Sequence, residues 1–437
     1  MFCTRERLLY RLFPFILSGL TTSSSEYFGV PKETWVIFSI RTINSLGFSA
    51  TVPFLGVYLL TTRGVSFTEI GLVYLVTGIL GIGSQVIGGR LTDSIGPKKV
   101  MLSGYTASII SSVLLGYLVL SDANVYAFFI LYPIFSLMRG ISQPATASII
   151  AGQKASQIRT GFSFLNIGGN LGFAIGPALA GPIIDATGFA TAFVLSASAA
   201  SAAGIITILA IEGGRRYKSL QQEAGKSVKR WLSWEKDRNV VLFLLVVFAM
   251  FLCIGYEITP LALYVAGVYH FTNTEIGYLF ATNGMLIVLL QLPLTKLMER
   301  SRLLLLPLIF SSGFATLAFV IAGFASTFAE WELFMGVITL AEISLSVPSQ
   351  TVFAFFSRAG NRGTYQGYYS AFSNAGRSLS SFIGPSTFTL FAFYPALSWF
   401  GIGAFSLCVG IAIFFLSPRL QADYERQLGN TQKFTSR

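Results

Sequence analysis

Apolar residues in this chain come in blocks, and the blocks recur from Thr34 to Leu416. Each is about 20 residues long, enough to cross a bilayer core of roughly 30 Å as a helix. They predict twelve helices, at 34–60, 68–89, 99–120, 125–151, 160–184, 188–211, 240–265, 274–297, 302–325, 330–357, 364–392 and 395–416. Apolar residues surround each predicted helix instead of forming one stripe, and an aqueous protein could not bury so many helices of that kind. Short polar turns join most of them. The one long interior connection, 212–239, carries eight basic and four acidic side chains and divides the chain into two groups of six helices.

The two groups repeat each other. Thr68-Glu69-Ile70-Gly71 returns as Thr274-Glu275-Ile276-Gly277, an offset of 206, which also carries Tyr58 onto Tyr264, Gln85 onto Gln291 and Asp93 onto Glu299. Asn166, Gly168 and Gly176-Pro177 return as Asn374, Gly376 and Gly384-Pro385, an offset of 208. One such match could arise by chance, but hardly a colinear series. The expected fold is an all-α membrane protein of twelve transmembrane helices in two pseudo-symmetric six-helix bundles, with a substrate path between them. Tyr58, Tyr264, Gln85, Gln291, Asn166 and Asn374 are candidate cavity residues.

Composition agrees and adds an orientation. Of the 437 residues 53% are hydrophobic and 11% charged, against about 25% charged in soluble proteins. A net charge of +11 could suggest nucleic acid, but its distribution says otherwise. Of 30 Lys and Arg, 26 fall on one side of the predicted membrane, Arg63 alone in a loop on the other, and Arg41, Arg139 and Arg377 inside helices. That asymmetry follows the positive-inside rule. It predicts a multi-pass protein of the plasma membrane with a cytoplasmic tail (1–33), a first bundle (34–211), a cytoplasmic linker (212–239), a second bundle (240–416) and a cytoplasmic tail (417–437). Arg5, Arg7 and Arg11 precede the apolar run Leu12–Leu20. The tail therefore has room for an interfacial helix; a poor signal peptide and a misplaced start remain alternatives. Cys3, Cys253 and Cys408 have no paired spacing, and His270 stands alone, so neither a disulfide framework nor a metal site is expected. Ala224-Gly225-Lys226-Ser227 imitates the end of a phosphate loop, but Leu220 stands where the first glycine belongs and no strand precedes it. Gly78, Gly81 and Gly83 lie inside a predicted helix, without dinucleotide-site spacing.

The loop after the second helix reads Gly89-Arg90-Leu91-Thr92-Asp93-Ser94-Ile95-Gly96-Pro97-Lys98-Lys99. It resembles the major facilitator superfamily signature Gly-x-x-x-Asp-basic-x-Gly-x-basic-basic, with Ser94 in place of the usual basic residue. The resemblance implies a conformational switch at Gly89, Asp93, Gly96, Lys98 and Lys99. Gly172-Phe173-Ala174-Ile175-Gly176-Pro177-Ala178-Leu179-Ala180-Gly181 resembles an exporter motif of the drug:proton antiporter families, with Ala180 for one glycine. Gly172, Gly176, Pro177 and Gly181 could equally form a plain packing face. Arg139, in Met138-Arg139-Gly140, resembles the fourth-helix arginine linked in the superfamily to proton coupling. Ala341-Glu342-Ile343-Ser344 resembles the acidic tenth helix of certain multidrug antiporters.

Counting along the helices places Arg139, Glu342 and Arg377 near mid-membrane, Glu257 nearer the outer side and Arg41 nearer the inner side. Arg139, for example, lies about 14 residues from its outer helix end, or roughly 21 Å. A charge facing lipid there would be expensive, so these groups should face a cavity or one another. Glu342, Glu257 and Arg139 are the candidates for proton coupling, with Arg139 as partner of the carboxylates; Arg41 and Arg377 join the candidate cavity. Structural ion pairs are the alternative reading. The chain is expected to be a non-enzymatic secondary transporter, monomeric and without cofactors. Its expected partners are a small-molecule substrate, protons and the lipid bilayer, with no nucleic acid. Proton-coupled export of lipophilic or cationic compounds is the leading expectation. Transport of an organic anion comes second, because three buried arginines outnumber two buried glutamates, and a non-transporting receptor or assembly factor is the reading from another class.

Overall fold

The computed structural model describes residues 26–27, 30–151, 153, 155–211, 238–299, 303, 305–356 and 362–435. The run Leu12–Leu20 and the linker over 212–237 lie outside them. A two-residue strand β1 (Glu26–Tyr27) pairs antiparallel with β2 (Val30–Pro31) just before the first helix. Fifteen described helices follow: α1 (Lys32–Ser49), α2 (Val52–Thr61), α3 (Phe67–Ile95), α4 (Pro97–Leu120), α5 (Val125–Gly140), α6 (Gln143–Ala151), α7 (Ala155–Thr187), α8 (Ala190–Ala210), α9 (Arg238–Ile254), α10 (Thr259–Val268), α11 (Asn273–Glu299), α12 (Leu306–Phe324), α13 (Phe328–Phe356), α14 (Arg362–Leu390) and α15 (Leu397–Thr435).

Eleven described stretches are long and apolar enough to cross a membrane. The twelfth place belongs to α14, whose 29 residues reach as far but carry more polar side chains. The predicted helix at 395–416 runs on through Pro418 to Thr435, so the described part of the C-terminal tail is helical. Large apolar side chains cover the outside, Leu120 at 78% exposure and Phe415 at 71% among them. Such a surface belongs against hydrocarbon, where every backbone group must be paired within the chain.

Three spans are broken, each where a proline removes a backbone donor. The first breaks at Ala50–Thr51, before Pro53, and the fourth at Ile141–Ser142, before Pro144. The seventh breaks at a 3-10 turn, Gly255–Glu257, before Pro260. The first and seventh breaks match by the repeat offset, since Thr51 and Glu257 are 206 residues apart. Interrupted helices at matching places in two halves mark where transporters of repeated design hold their ligands.

The turns are punctuated by caps. Ser66 and Glu69 form a reciprocal capping box at the start of α3. Thr272 and Glu275 repeat it before α11, and Asn124 caps α5. Gly96, at φ 89°, joins α3 to α4 in a backbone conformation that a side chain would strain. Packing then follows the repeat: α1 lies on α7 as α9 lies on α14, α4 on α8 as α12 on α15, and α3 on α5 as α11 on α13. The two bundles meet along α7 with α11 and α3 with α14.

Candidate functional site

The break in the seventh span sets Glu257 into the protein with its side chain 5% exposed, facing Arg377 of α14. Arg377 Nη1 lies 3.8 Å from Glu257 Oε1, and Nη2 lies 2.9 Å from Glu342 Oε1 of α13. The Arg377 guanidinium also lies 5.0 Å from the centre of the Phe251 ring. Asn283 of α11 donates to Thr339 Oγ1 at 3.0 Å and to Glu342 Oε2 at 3.4 Å. Glu257 Oε2 has no hydrogen-bond partner. One cation therefore serves two carboxylates, tightly for Glu342 and loosely for Glu257.

Beside this triad lies a cavity of about 190 Å³ between the bundles. Glu342 and Arg377 form part of its wall, with Asn166 and Asn170 of α7, Gln291 of α11, and Ser346 and Gln350 of α13. Glu342, Ser346 and Gln350 are spaced four residues apart, as are Asn166 and Asn170, so each set lies on one helix face. The lining is mostly carboxamide, hydroxyl and charge.

Cross-bundle contacts close one end. Thr68 donates to Thr389 at 3.1 Å. Asp185, at the end of α7, accepts the Asn273 and Thr274 backbone N–H groups at 3.2 and 2.8 Å and their side chains at 2.7 and 2.5 Å. Gly71 packs on the backbone of Ser381 and Phe382, and a Cβ on Gly277 would collide with the Pro177 carbonyl. All these residues lie toward the Arg63 end of their helices, and Asn166, Gln291 and Gln350 lie toward the Asp93 end. The protein is closed at the Arg63 end, with the cavity on the Asp93 side of the closure.

The first bundle holds its charges differently. Arg139 is 5% exposed. Its Nη2 donates to the Asn44 carbonyl at 3.3 Å, and its guanidinium sits 3.4 Å from the centre of the Phe48 ring. Nε and Nη1 have no partner. Arg41 is half-buried, its Nε against Gly169 of α7. Among the described residues, neither arginine is ion-paired to a carboxylate.

Several expectations need correcting. Arg377, not Arg139, is the partner of the carboxylates; Arg139 is held by α1 in the other bundle. Glu257, expected nearer the outer side, is nonetheless the more enclosed acid, its side chain 5% exposed against 14% for Glu342. Of the candidate cavity residues, Arg377, Gln291 and Asn166 line the cavity, whereas Arg41, Gln85 and Asn374 stand half-buried outside its lining. Tyr58 is buried against Phe128 and Phe189, with its hydroxyl accepting from Arg63. Tyr264 is buried among Tyr269, Trp331, Phe388 and Trp399. Asn170, Ser346, Gln350 and Asn283 were missed; polar side chains repeating every four residues in apolar helices were the available signal for the first three.

At the Asp93 end, Lys98 donates to the carbonyls of Ile208 at 2.9 Å and Ile211 at 2.6 Å, tying α4 to the end of α8. Asp93 and Lys99 are exposed there. Ser94 donates back to the Leu91 carbonyl. Gly89 has open space where a Cβ would stand; the close approach belongs to Gly88, against the Ile141 backbone. In the other motif, Gly172 and Gly176 seat α7 on Thr42, Ser45 and Ser49 of α1, while Gly181 meets Asn273 across the bundles.

The sequence profile of the Major Facilitator Superfamily matches residues 37–381, most of the chain, and the chain belongs to that superfamily. It is 25% identical over 415 residues to the uncharacterized MFS-type transporter YqjV of Bacillus subtilis (strain 168), covering 92% of this chain and 96% of YqjV. The match to the uncharacterized MFS-type transporter YwfA of the same strain is 27% over 195 residues and spans about half of each, 45% of this chain and 46% of YwfA. The multidrug resistance protein MdtG of Rahnella sp. (strain Y9602) is 28% identical over 171 residues, 38% of this chain and 40% of MdtG. Among solved structures, a peptide transporter POT in complex with alafosfalin superposes with a TM-score of 0.74 at 17% identity, covering 93% of this chain and 98% of POT. That likeness is one of fold. The chain is therefore a multi-pass membrane protein, an MFS-type secondary transporter and not an enzyme.

Proposed function

We propose that this transporter sits in the plasma membrane, with both termini in the cytoplasm, and exports a small solute in exchange for protons. The observation that carries the reading is the position of Glu342. The same carboxylate lines the cavity and is bound to Arg377. A proton and a cargo that both need Glu342 exclude one another, and mutual exclusion gives exchange instead of co-transport. Glu257, buried behind the same arginine, is the second proton carrier. Closure at the Arg63 end corresponds to an inward-facing state if the basic end lies in the cytoplasm. Asp93, Gly96 and Lys98, far from the cavity, govern the balance between states.

The polar wall favours a hydrogen-bonding solute. Export of lipophilic cations is the second reading, favoured by the similarity to MdtG over part of the chain. Glu342→Gln keeps the shape of the side chain and removes its titration. In proteoliposomes with an imposed pH gradient, the variant is expected to lose uphill transport while keeping equilibrium binding or downhill exchange. Accumulation at the wild-type rate would leave Glu342 as a structural partner of Arg377 only.

A further inference from the structure

The charges buried in the two bundles are unequal. Glu257, Glu342 and Arg377 carry one net negative charge when all are ionised, and Glu342 and Arg377 are at the cavity wall. In the first bundle, outside that lining, Arg41 and Arg139 bring two positive charges with no carboxylate paired to either among the described residues. Arg139 is the less expected of the two. It is 5% exposed, yet Nε and Nη1 have no acceptor. Buried donors are nearly always satisfied, and an unpaired guanidinium is among the least tolerable exceptions. Such a group fits a site where an acceptor arrives and leaves.

The place of Arg41 ties this pair to the cavity. Its Nε lies against Gly169, and residues 166 and 170 of the same helix line the cavity wall. Arg139 joins Arg41 through α1, its Nη2 donating to the carbonyl of Asn44, about one helical turn beyond Arg41. A planar guanidinium presents five donors, suited to two-point binding of an acid group. The cavity itself adds carboxamides at Asn166, Asn170, Gln291 and Gln350, which both donate and accept. Its volume of about 190 Å³ falls below the roughly 300–1,000 Å³ of drug-sized sites.

We infer that the cargo is a small zwitterion of the amino-acid type, its acid group held by Arg41 and Arg139 and its cationic group facing Glu342. The inference rests on the exchange reading above and deepens it. The cationic end is what competes with the proton, and the acid end is what a simple lipophilic cation lacks.

The test uses the full-length protein in lipid nanodiscs, at fixed pH and without a gradient. The probe is a mixture of radiolabelled L-amino acids, competed with unlabelled amino acids and with the amines left by removing their carboxylates. Saturable binding is expected, with the amines weaker competitors by about 10- to 100-fold, the range for losing a charged hydrogen bond. Arg139→Gln and Arg41→Gln should each weaken binding by a similar factor, and Arg139→Lys by less. No specific binding, equal competition by amines, or unchanged affinity in both monodisperse glutamine variants would overturn the inference. Should the Arg139 and Arg41 variants fail to fold, the amine comparison on the unaltered protein decides alone. The two readings fail separately. Zwitterion binding without pH-driven uptake in proteoliposomes would remove the exchange and keep the subsite. Uphill transport of ethidium, indifferent to both arginine substitutions, would keep the exchange and remove the subsite.

Discussion

Arg377 illustrates how one side chain fixes the protonation chemistry of a site. Two glutamates depend on it, one at 2.9 Å and one at 3.8 Å. Removing one partner of a buried ion pair leaves a charge without compensation and typically costs about 3–5 kcal/mol. Arg377→Gln should therefore lower the unfolding temperature in detergent and the yield of folded protein. Adding Glu257→Gln to it should recover part of the loss, because the stranded carboxylate is gone. A double variant no more stable than Arg377→Gln would mean that Glu257 does not depend on the arginine. Depth counting in the sequence placed Glu342 and Arg377 at one level of the membrane, which is why both were candidates. It did not pair them, because the chain between them, which sets them 35 positions apart, carries no signal for how α13 and α14 face each other. The same limit misled the reading of Arg139: it was at the right depth, but α1 took it up. Tyr58 and Tyr264 failed for another reason. A residue matched by an internal repeat is constrained by the shared fold as readily as by a ligand, and both lie buried toward the closed end of the molecule.

Helices were the most legible level, since a run of about 20 apolar residues has few other fates than to span a bilayer. Even the polar α14 was readable as a span from its place in the repeat. The matching Thr-Glu-Ile-Gly segments were legible as a repeat but not as a closure. Each glutamate caps its own helix, each glycine lets a helix of the other bundle approach, and each threonine hydrogen-bonds across the gap. The two sides differ in one respect: the threonine of α11 meets a carboxylate, Asp185, which caps that helix from the other bundle. Loss of a helix N-cap costs about 0.5–2 kcal/mol, and here the cost falls only on the state closed at the Arg63 end. Asp185→Ala should shift the equilibrium toward opening there, by roughly 10-fold at 1.4 kcal/mol. A single cysteine introduced as Ile287→Cys, in the cavity wall, should then react faster with a membrane-impermeant thiol reagent applied from the Arg63 side. Asp185→Asn, which keeps one acceptor, should have a smaller effect. Unchanged reactivity in both would show that the cap contributes to α11 alone.

At the scale of the whole molecule, closure and cavity are arranged in series along one axis. The close approaches of α3 to α14 at Gly71 and Gly78, and of α7 to α11 at Gly277 and Gly284, lie in the Arg63 half, and the polar wall extends toward the Asp93 end. Two bundles built on the same pattern, in close contact at the Arg63 end, suit a rocking motion that carries the opening from one side of the cavity to the other. If that motion is the transport step, fastening the closed end must stop it without destroying the site. Thr68 and Thr389 offer the place, because their hydroxyl oxygens are 3.1 Å apart and belong to different bundles. In the pair Thr68→Cys with Thr389→Cys, on a background without Cys3, Cys253 and Cys408, oxidation or a short thiol cross-linker should abolish transport, and reduction should restore it. Equilibrium binding should survive cross-linking, since the cavity stays open toward the Asp93 end. A third cysteine, Gln350→Cys, masked during the cross-linking step, should remain reactive in the fastened protein from one side of the membrane alone. The basic distribution of the sequence predicts that this side is the cytoplasmic one. Transport at the unlinked rate by fully cross-linked protein would rule out rocking about this closure, and labelling of Gln350→Cys from outside would reverse the orientation.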